Sequence, residues 1–433
     1  MINKRTAAVL LSVSLMLGCG CPAVFAESKH DDGKMPFLKA CGSLIYDENN
    51  NPVTLRGTNL GGWLVWEAWM SPFTGADDSM GVIDKLYSRF GKEAADEIIK
   101  SFRDNYITEA DFDTIKSMGF NCIRLPFWYQ NLETGTDGEY DFTRLDFAVE
   151  MCKERGIYVI LDCHGLPGFQ SIAHHCGKTN DCRLYDKTEE GEHYRTESVK
   201  LWQAVAEHYK DNPVIAAYDL MNEPMCDFKE NQDDEAMWSV YDLLYKAVRE
   251  VDGKHIAIME AIWDFTHLPD PAKYGWQNVM YELHSYDPTN DAYRTIIRNA
   301  KLRGYCVPIY DGEFHPSSEK AEWSYILNLF NNNNVSWTTW TYKGYCSWGS
   351  SDWFMYGTDD RSICVDLDND SYETIMRKWG EKLRTESCRT MGPVDTFMEY
   401  AKEEYKVSVF DRLIAHIQQI IFDVKMKFFK LFR

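Results

Sequence analysis

Eight short apolar runs recur along the middle of this chain, at residues 55–59, 121–126, 157–162, 214–221, 256–259, 279–284, 307–310 and 335–340. Each reads as a strand buried on both faces, the habit of parallel sheets. Between them lie stretches with helical spacing, such as Phe112, Ile115 and Met118, or Leu145, Ala148, Val149 and Cys152. Apolar residues three and four apart line one face of a helix. Strand and helix therefore alternate eight times, which predicts an α/β chain folded as one (β/α)8 TIM barrel over residues 38–390, with long loops. A doubly wound sheet is the alternative, but no glycine-rich phosphate loop follows the first strand.

The flanks are of different character. Residues 1–26 have the pattern of a signal peptide: Lys4 and Arg5, an apolar core from Ala7 to Leu17, and Ala23-Val24-Phe25-Ala26 as a cleavage site. That core is too short to span a bilayer comfortably. Lipoprotein processing at Cys19 is the rival reading. Export to the exterior or the cell surface is expected either way. Residues 27–37 are polar and expected to be mobile. Leu44-Ile45-Tyr46 and Pro52-Val53-Thr54-Leu55 flank a turn-rich cluster, which predicts an N-terminal β-hairpin. Residues 394–433 should form a basic amphipathic helix outside the barrel, its apolar stripe running through Phe410, Leu413, Ile414, Ile417, Ile421, Val424, Phe428 and Leu431. Such a helix could lie on an anionic membrane surface, pack on the barrel or self-associate.

The formal net charge of -21 argues against a nucleic-acid partner, which needs a basic face. Of thirteen cysteines, Cys19 and Cys21 fall in the signal, and the odd remainder implies at least one free thiol. Cys176 and Cys182 flank a short loop and could pair, whereas Cys122 and Cys163 sit inside apolar runs and should be buried thiols. His174-His175-Cys176 with Cys182 matches no standard zinc spacing. No metal or organic cofactor is expected. The longest irregular stretch, from Gly165 to about Glu197, follows the third strand and would form a wall of the cleft.

In a β/α barrel, chemistry collects where strands end. Glu223, after the fourth strand, and Glu313, after the seventh, could face each other across the mouth. Two carboxyls about 5–5.5 Å apart are the minimal machinery for retaining cleavage of a glycosidic bond, one as nucleophile and one as acid then base. The acid must keep its proton near neutral pH, through burial and its like-charged partner. Asn222 could hold a substrate hydroxyl. Arg124 could keep the nucleophile ionised. His164, His284 and Tyr286 end the third and sixth strands, and Trp340 ends the eighth as a platform for a sugar ring. Taken singly, a strand-end glutamate is more often a capping acid, a histidine a satisfied core residue and a barrel tryptophan mere packing. Their recurrence at one end of successive strands makes them a site. Trp63, Trp66, Trp69, Trp128, Trp263 and Trp348 could also stack on sugars, although most should be core.

These motifs resemble those of glycoside hydrolase family 5. They are Ile123-Arg124-Leu125-Pro126, Asp162-Cys163-His164-Gly165, Asn222-Glu223-Pro224, His284-Ser285-Tyr286, Gly312-Glu313-Phe314 and Trp337-Thr338-Thr339-Trp340, in order across residues 40 to 385. The resemblance implies Glu223 as acid/base, Glu313 as nucleophile, and Arg124, His164, Asn222, His284, Tyr286 and Trp340 as supporting positions. It implies a β-glucan or β-glucoside substrate and no cofactor. Residues 56–67 are similar to the opening of the exo-β-1,3-glucanase branch, where the glutamate matching Glu67 helps to close a glucose-sized pocket. The chain departs from that branch at Phe169-Gln170-Ser171-Ile172 and in the loop beyond. Endo-acting β-1,4-glucanase or mannanase activity, and a glycolipid-directed glucosidase, are the enzymatic alternatives. A carbohydrate-binding surface protein and a membrane-associated assembly protein are the alternatives outside catalysis.

Overall fold

A computed structural model describes residues 35–225, 233–261, 265–286, 290–316, 319–347, 352–403 and 407–431. The expected signal peptide, most of residues 27–37, Cys226, Trp263 and Trp348 lie outside the described residues. Three short antiparallel strands open the fold: β1 (Leu38–Cys41), β2 (Leu44–Asp47) and β3 (Pro52–Val53). The hairpin is thus the second half of a three-stranded sheet. Met35 to Phe37, at the end of the segment expected to be mobile, make contacts with the barrel. The Pro36 carbonyl accepts from Tyr158 Oη at 3.0 Å, and the Phe37 ring meets His255 at 5.2 Å.

Eight parallel strands then close a barrel in chain order: β4 (Arg56–Asn59), β5 (Cys122–Trp128), β6 (Tyr158–Gly165), β7 (Ile215–Asp219), β8 (Ile256–Glu260), β9 (Val279–Ser285), β10 (Ile309–Phe314) and β11 (Ser336–Thr339). Closure comes from β11 pairing with β4, Trp337 opposite Arg56 and Thr339 opposite Thr58. A doubly wound sheet is thereby excluded. The helices fall where apolar spacing put them. Glu109–Ser117 buries Phe112 and Ile115, and starts at a capping box in which the Thr108 backbone N–H donates to Asp111 Oδ2 at 2.6 Å. Thr143–Arg155 buries Leu145, Ala148, Val149 and Cys152 and stops at left-handed Gly156.

The alternation of β2 plugs the barrel. Ile45, with Leu38, packs on Leu55, Cys122, Tyr158 and Ile256 at the N-terminal ends of the barrel strands. Leu44 and Tyr46 point the other way and receive Val407 and Ala415. The C-terminal region holds two helices. Val394–Lys402 packs its Phe397 on Trp323 at 4.9 Å, so it belongs to the barrel's outer layer and not outside it. Val409–Lys430 lies across the plugged end. Cys122 and Cys163 are buried thiols as expected, but Cys176 and Cys182 do not pair. The Cys176 thiol sits in a 3-10 turn, within 3.6 Å of His175 Nδ1 and buried among Val65, Trp128 and Phe169.

Candidate active site

The alternation of β5 sends Ile123 and Leu125 outward into the helix layer and Arg124 inward, where it is completely buried. Its guanidinium contacts Asp162 Oδ2 at 3.0 Å, Asp219 Oδ2 at 2.7 Å and Glu313 Oε1 at 2.8 Å, with Glu282 Oε1 at 3.3 Å. It also donates to Asn222 Oδ1 at 2.8 Å. The Glu313 carboxylate takes a second donor, Tyr286 Oη, at 2.6 Å. Burial raises the Glu313 carboxyl above its ordinary value, helped by the Glu223 charge and opposed by Arg124.

Glu223 leaves the end of β7 with a positive φ of 39°, a conformation side chains seldom adopt and one that clusters at functional sites. Its carboxyl meets two imidazoles, His284 Nδ1 at 2.7 Å and His175 Nε2 at 3.1 Å. Burial lowers both histidines, so both rings are neutral at pH 7. Arg124 fixes the Asn222 amide with its NH2 toward His175 Nδ1 at 3.3 Å, which leaves the His175 hydrogen on Nε2, facing Glu223. One oxygen of Glu223, one of Glu313 and a His284 ring nitrogen all lie within 4.8 Å of one another.

His164 hydrogen-bonds Asp162 through Nδ1 at 2.5 Å and stacks on Trp340, ring centroids 5.6 Å apart and ring planes nearly parallel. The Trp340 ring can lie there because residue 61 is glycine; a Cβ at that position would come within 2.9 Å of it. Arg124, His164, Asn222, Glu223, His284, Tyr286, Glu313 and Trp340 therefore lie together at the C-terminal mouth, and Glu67 lies beside them. Glu67 accepts from Trp69 Nε1 at 2.7 Å and pairs with His174 Nε2 at 2.9 Å. Burial would raise this carboxyl, but the hydrogen bond and charge of His174, with help from Trp69, hold it at about 2.

His174 and His175 contact Glu67 and Glu223, a role that sequence reasoning did not assign. They come from the long loop after β6, where no period announces a side chain's direction. Trp69 and Trp353 also stand beside the mouth; Trp353 lies 5.2 Å from Tyr286. Trp63, Trp66 and Trp128 are core. Beneath the pair lie Glu260 and Glu282, for which a signal existed, since each is an acid inside an apolar strand run. Gly312 makes the room for Glu282, whose Oε1 occupies the place of its missing Cβ.

Opposed carboxylates at a barrel mouth are the equipment of a glycoside hydrolase, and sequence comparison agrees. Residues 89–345 match the model of the family Cellulase (glycosyl hydrolase family 5), and the chain belongs to that family. A β-xylosidase from Phanerodontia chrysosporium is 30% identical over 352 residues, 71% of each chain. A glucan 1,3-β-glucosidase from Blumeria graminis is 34% identical over 189 residues, 42% of this chain and 43% of that one. Among solved structures, an endogalactoceramidase superposes with a TM-score of 0.56 at 18% identity, covering 85% of this chain and 84% of that one. That likeness concerns the fold.

Proposed function

We propose that this protein is an exported, retaining β-glycosidase that removes sugars from the ends of β-linked glucans or β-glucosides. The observation that carries the reading is the closeness of Glu223 and Glu313, one carboxylate oxygen of each lying within 4.8 Å of the other. Retaining enzymes hold their carboxyls about 5–5.5 Å apart, whereas inverting ones leave about 6.5–9.5 Å for a water. Glu313 attacks the anomeric carbon as the glycosidic C–O bond breaks, and Glu223 passes its proton to the leaving oxygen. Water then attacks the same carbon, gives a proton to Glu223 and releases Glu313. Arg124 and Tyr286 place donors on the Glu313 oxygens, which favours its ionised form. Glu223 faces neutral imidazoles. A neutral His284 can accept the Glu223 hydroxyl at Nδ1 while its Nε2–H points toward Glu282 Oε1 at 3.4 Å.

The Glu67–His174 pair, held at 2.9 Å beside the mouth, supports action from chain ends as part of the wall there. Export rests on the signal-like first 26 residues. The β-xylosidase relative favours a second reading, a pentoside substrate. Product analysis with β-1,3- and β-1,4-glucans, an aryl β-glucoside and an aryl β-xyloside separates them. Glucose released at once from a glucan of nearly unchanged length supports the proposal, as does retained configuration in the first-formed product. A rapid fall in polymer length overturns end-wise action. Turnover of the xyloside alone overturns the glucan reading. Glu223→Gln and Glu313→Gln should each lose several orders of magnitude while folded.

A further inference from the structure

The C-terminal helix Val409–Lys430 is packed with its apolar stripe turned outward. Ala415, Phe422 and Met426 face the protein, against β2 and the Pro271–Tyr274 turn. Gln419 and Gln418 accept from the backbone N–H groups of Gly42 and Ser43, each at 3.0 Å. Lys425 pairs with Asp270 at 2.6 Å. Those contacts fix the helix's rotation. The opposite face then shows Phe410, Leu413, Ile417, Ile420, Val424 and Phe428, each about half exposed or more, from 47% at Ile417 to 69% at Phe410. Elsewhere among the described residues only Leu302, at 73%, is a large apolar side chain that exposed; Tyr87 and Leu243 are about a third exposed. Leu302 ends the helix Asn290–Arg303, and its neighbour Lys301 lines one hollow with Ile414 and Gln418. A surface helix ordinarily turns its apolar stripe inward, so this outward face requires an occupant.

Charge selects the occupant. The chain as a whole carries -21. Yet in this helix, with Lys425 taken up by Asp270, Arg412, Lys427 and Lys430 still outnumber Asp411 and Asp423, and Lys301 and Arg303 stand beside Leu302. Two copies meeting through this face would bring like charges together. An anionic lipid surface offers both the apolar interior that the stripe matches and the negative charge that the lysines match. No described helix is long and apolar enough to cross a membrane. We propose that this helix lies in the interface of an anionic membrane and holds the protein there peripherally. The helix sits on the outer side of β2, and the inner side of that strand plugs the N-terminal end of the barrel. The catalytic mouth is at the other end and points away from the lipid, toward polymer in solution rather than toward glycolipids of the same bilayer.

The test is co-sedimentation of the full chain with phosphatidylcholine vesicles, with and without about 30% phosphatidylserine. The protein should pellet with the anionic vesicles, and about 0.5 M NaCl should weaken binding severalfold. Lys427→Glu with Lys430→Glu should weaken it by roughly tenfold or more. Ile417→Glu with Val424→Glu should abolish it. Both pairs should leave turnover of an aryl β-glycoside unchanged, which shows that the barrel is folded. No pelleting, equal pelleting with neutral vesicles, or a dimer in light scattering that Ile417→Glu with Val424→Glu dissolves would each overturn the proposal.

Discussion

Arg124 carries an unusual load. One buried guanidinium serves Asp162, Asp219, Glu282 and Glu313, each within 3.3 Å, and orients Asn222 as well. A lysine keeps the charge but cannot span that fork. Arg124→Lys should therefore lower kcat/KM by about 10²–10³, the usual cost of removing a preorganised donor from a reacting carboxylate. Steady-state kinetics on an aryl β-glucoside measure it, and an unchanged kcat/KM would mean that Glu313 does not depend on the fork. Tyr286→Phe removes only the 2.6 Å donor to the other Glu313 oxygen. It should cost about tenfold in kcat with little change in stability, because the ring still packs on Trp353. The residues behind both predictions were legible in the sequence because Arg124 is a polar residue inside an apolar run and Tyr286 follows one, where the two-residue period of a strand says which way a side chain points. His174 and His175 had no such frame, and their proximity to Glu67 and Glu223 emerges only once the loop is folded.

At the scale of elements, that loop is organised by one buried side chain. Gln170 donates to the carbonyls of His164 and Asn222, each at 2.8 Å, and accepts from the Leu166 N–H at 3.1 Å. It ties the ends of β6 and β7 to the stretch that carries the histidines. Gln170 lies in the segment where the sequence leaves its exo-glucanase resemblance, so the departure supplies the wall. His174→Ala should open that wall and release Glu67 from its partner. The expected outcome is a larger share of oligosaccharides among early products from a glucan, read by chromatography; an unaltered profile would remove the pair from any role in end-wise action. Six of the eight barrel strands were legible to within two residues; the third and seventh run three and four residues further, through the polar residues of His164-Gly165 and Asp311-Gly312-Glu313. The terminal helix was legible as a helix, but the face it buries was not, because rotation is set by close contacts rather than by periodicity. Gly42 is one of them. It has a φ of +57°, and a Cβ there would lie 2.2 Å from the Ala415 carbonyl oxygen. Gly42→Ala should cost about 1–3 kcal/mol and speed hydrogen exchange across Val409–Lys430. Unchanged protection would show that the helix does not rest on this contact.

For the molecule as a whole, the site sits on a store of buried acid that its stability must reflect. Burial pushes Asp162 up to about 7 and Asp219 to about 6, against the pull of Arg124, and raises Glu260, Glu282 and Asp311 well above the ordinary range. Such groups prefer to be protonated in the folded protein. Their contribution is fully present below the unfolded values, near 3.8 for the aspartates, and is lost as pH rises through about 6 and 7. Glu67 runs the other way. Held at about 2 against an ordinary 4.5, it stabilises the fold above pH 4.5 and loses that contribution as pH falls toward 2. Buried His164, His175 and His284, lowered by burial, oppose the acids, since they favour the fold as pH rises through 6.5; five raised acids against three imidazoles leave maximal stability on the acid side of neutrality. Thermal unfolding of the full chain should therefore show a higher Tm at pH 5 than at pH 8, with a net difference on the order of 2 kcal/mol. Asp311→Asn gives the discriminating control. Asp311 accepts from Ser285 Oγ at 2.6 Å and contacts no reacting group, and an amide mimics its protonated form. The variant should keep its activity and lose part of the pH dependence by gaining stability at pH 8. A Tm flat from pH 5 to 8 in the parent chain would mean that the buried acids are neutralised by partners other than protons. A steeper fall in Asp311→Asn would mean that this carboxyl is ionised in the native state.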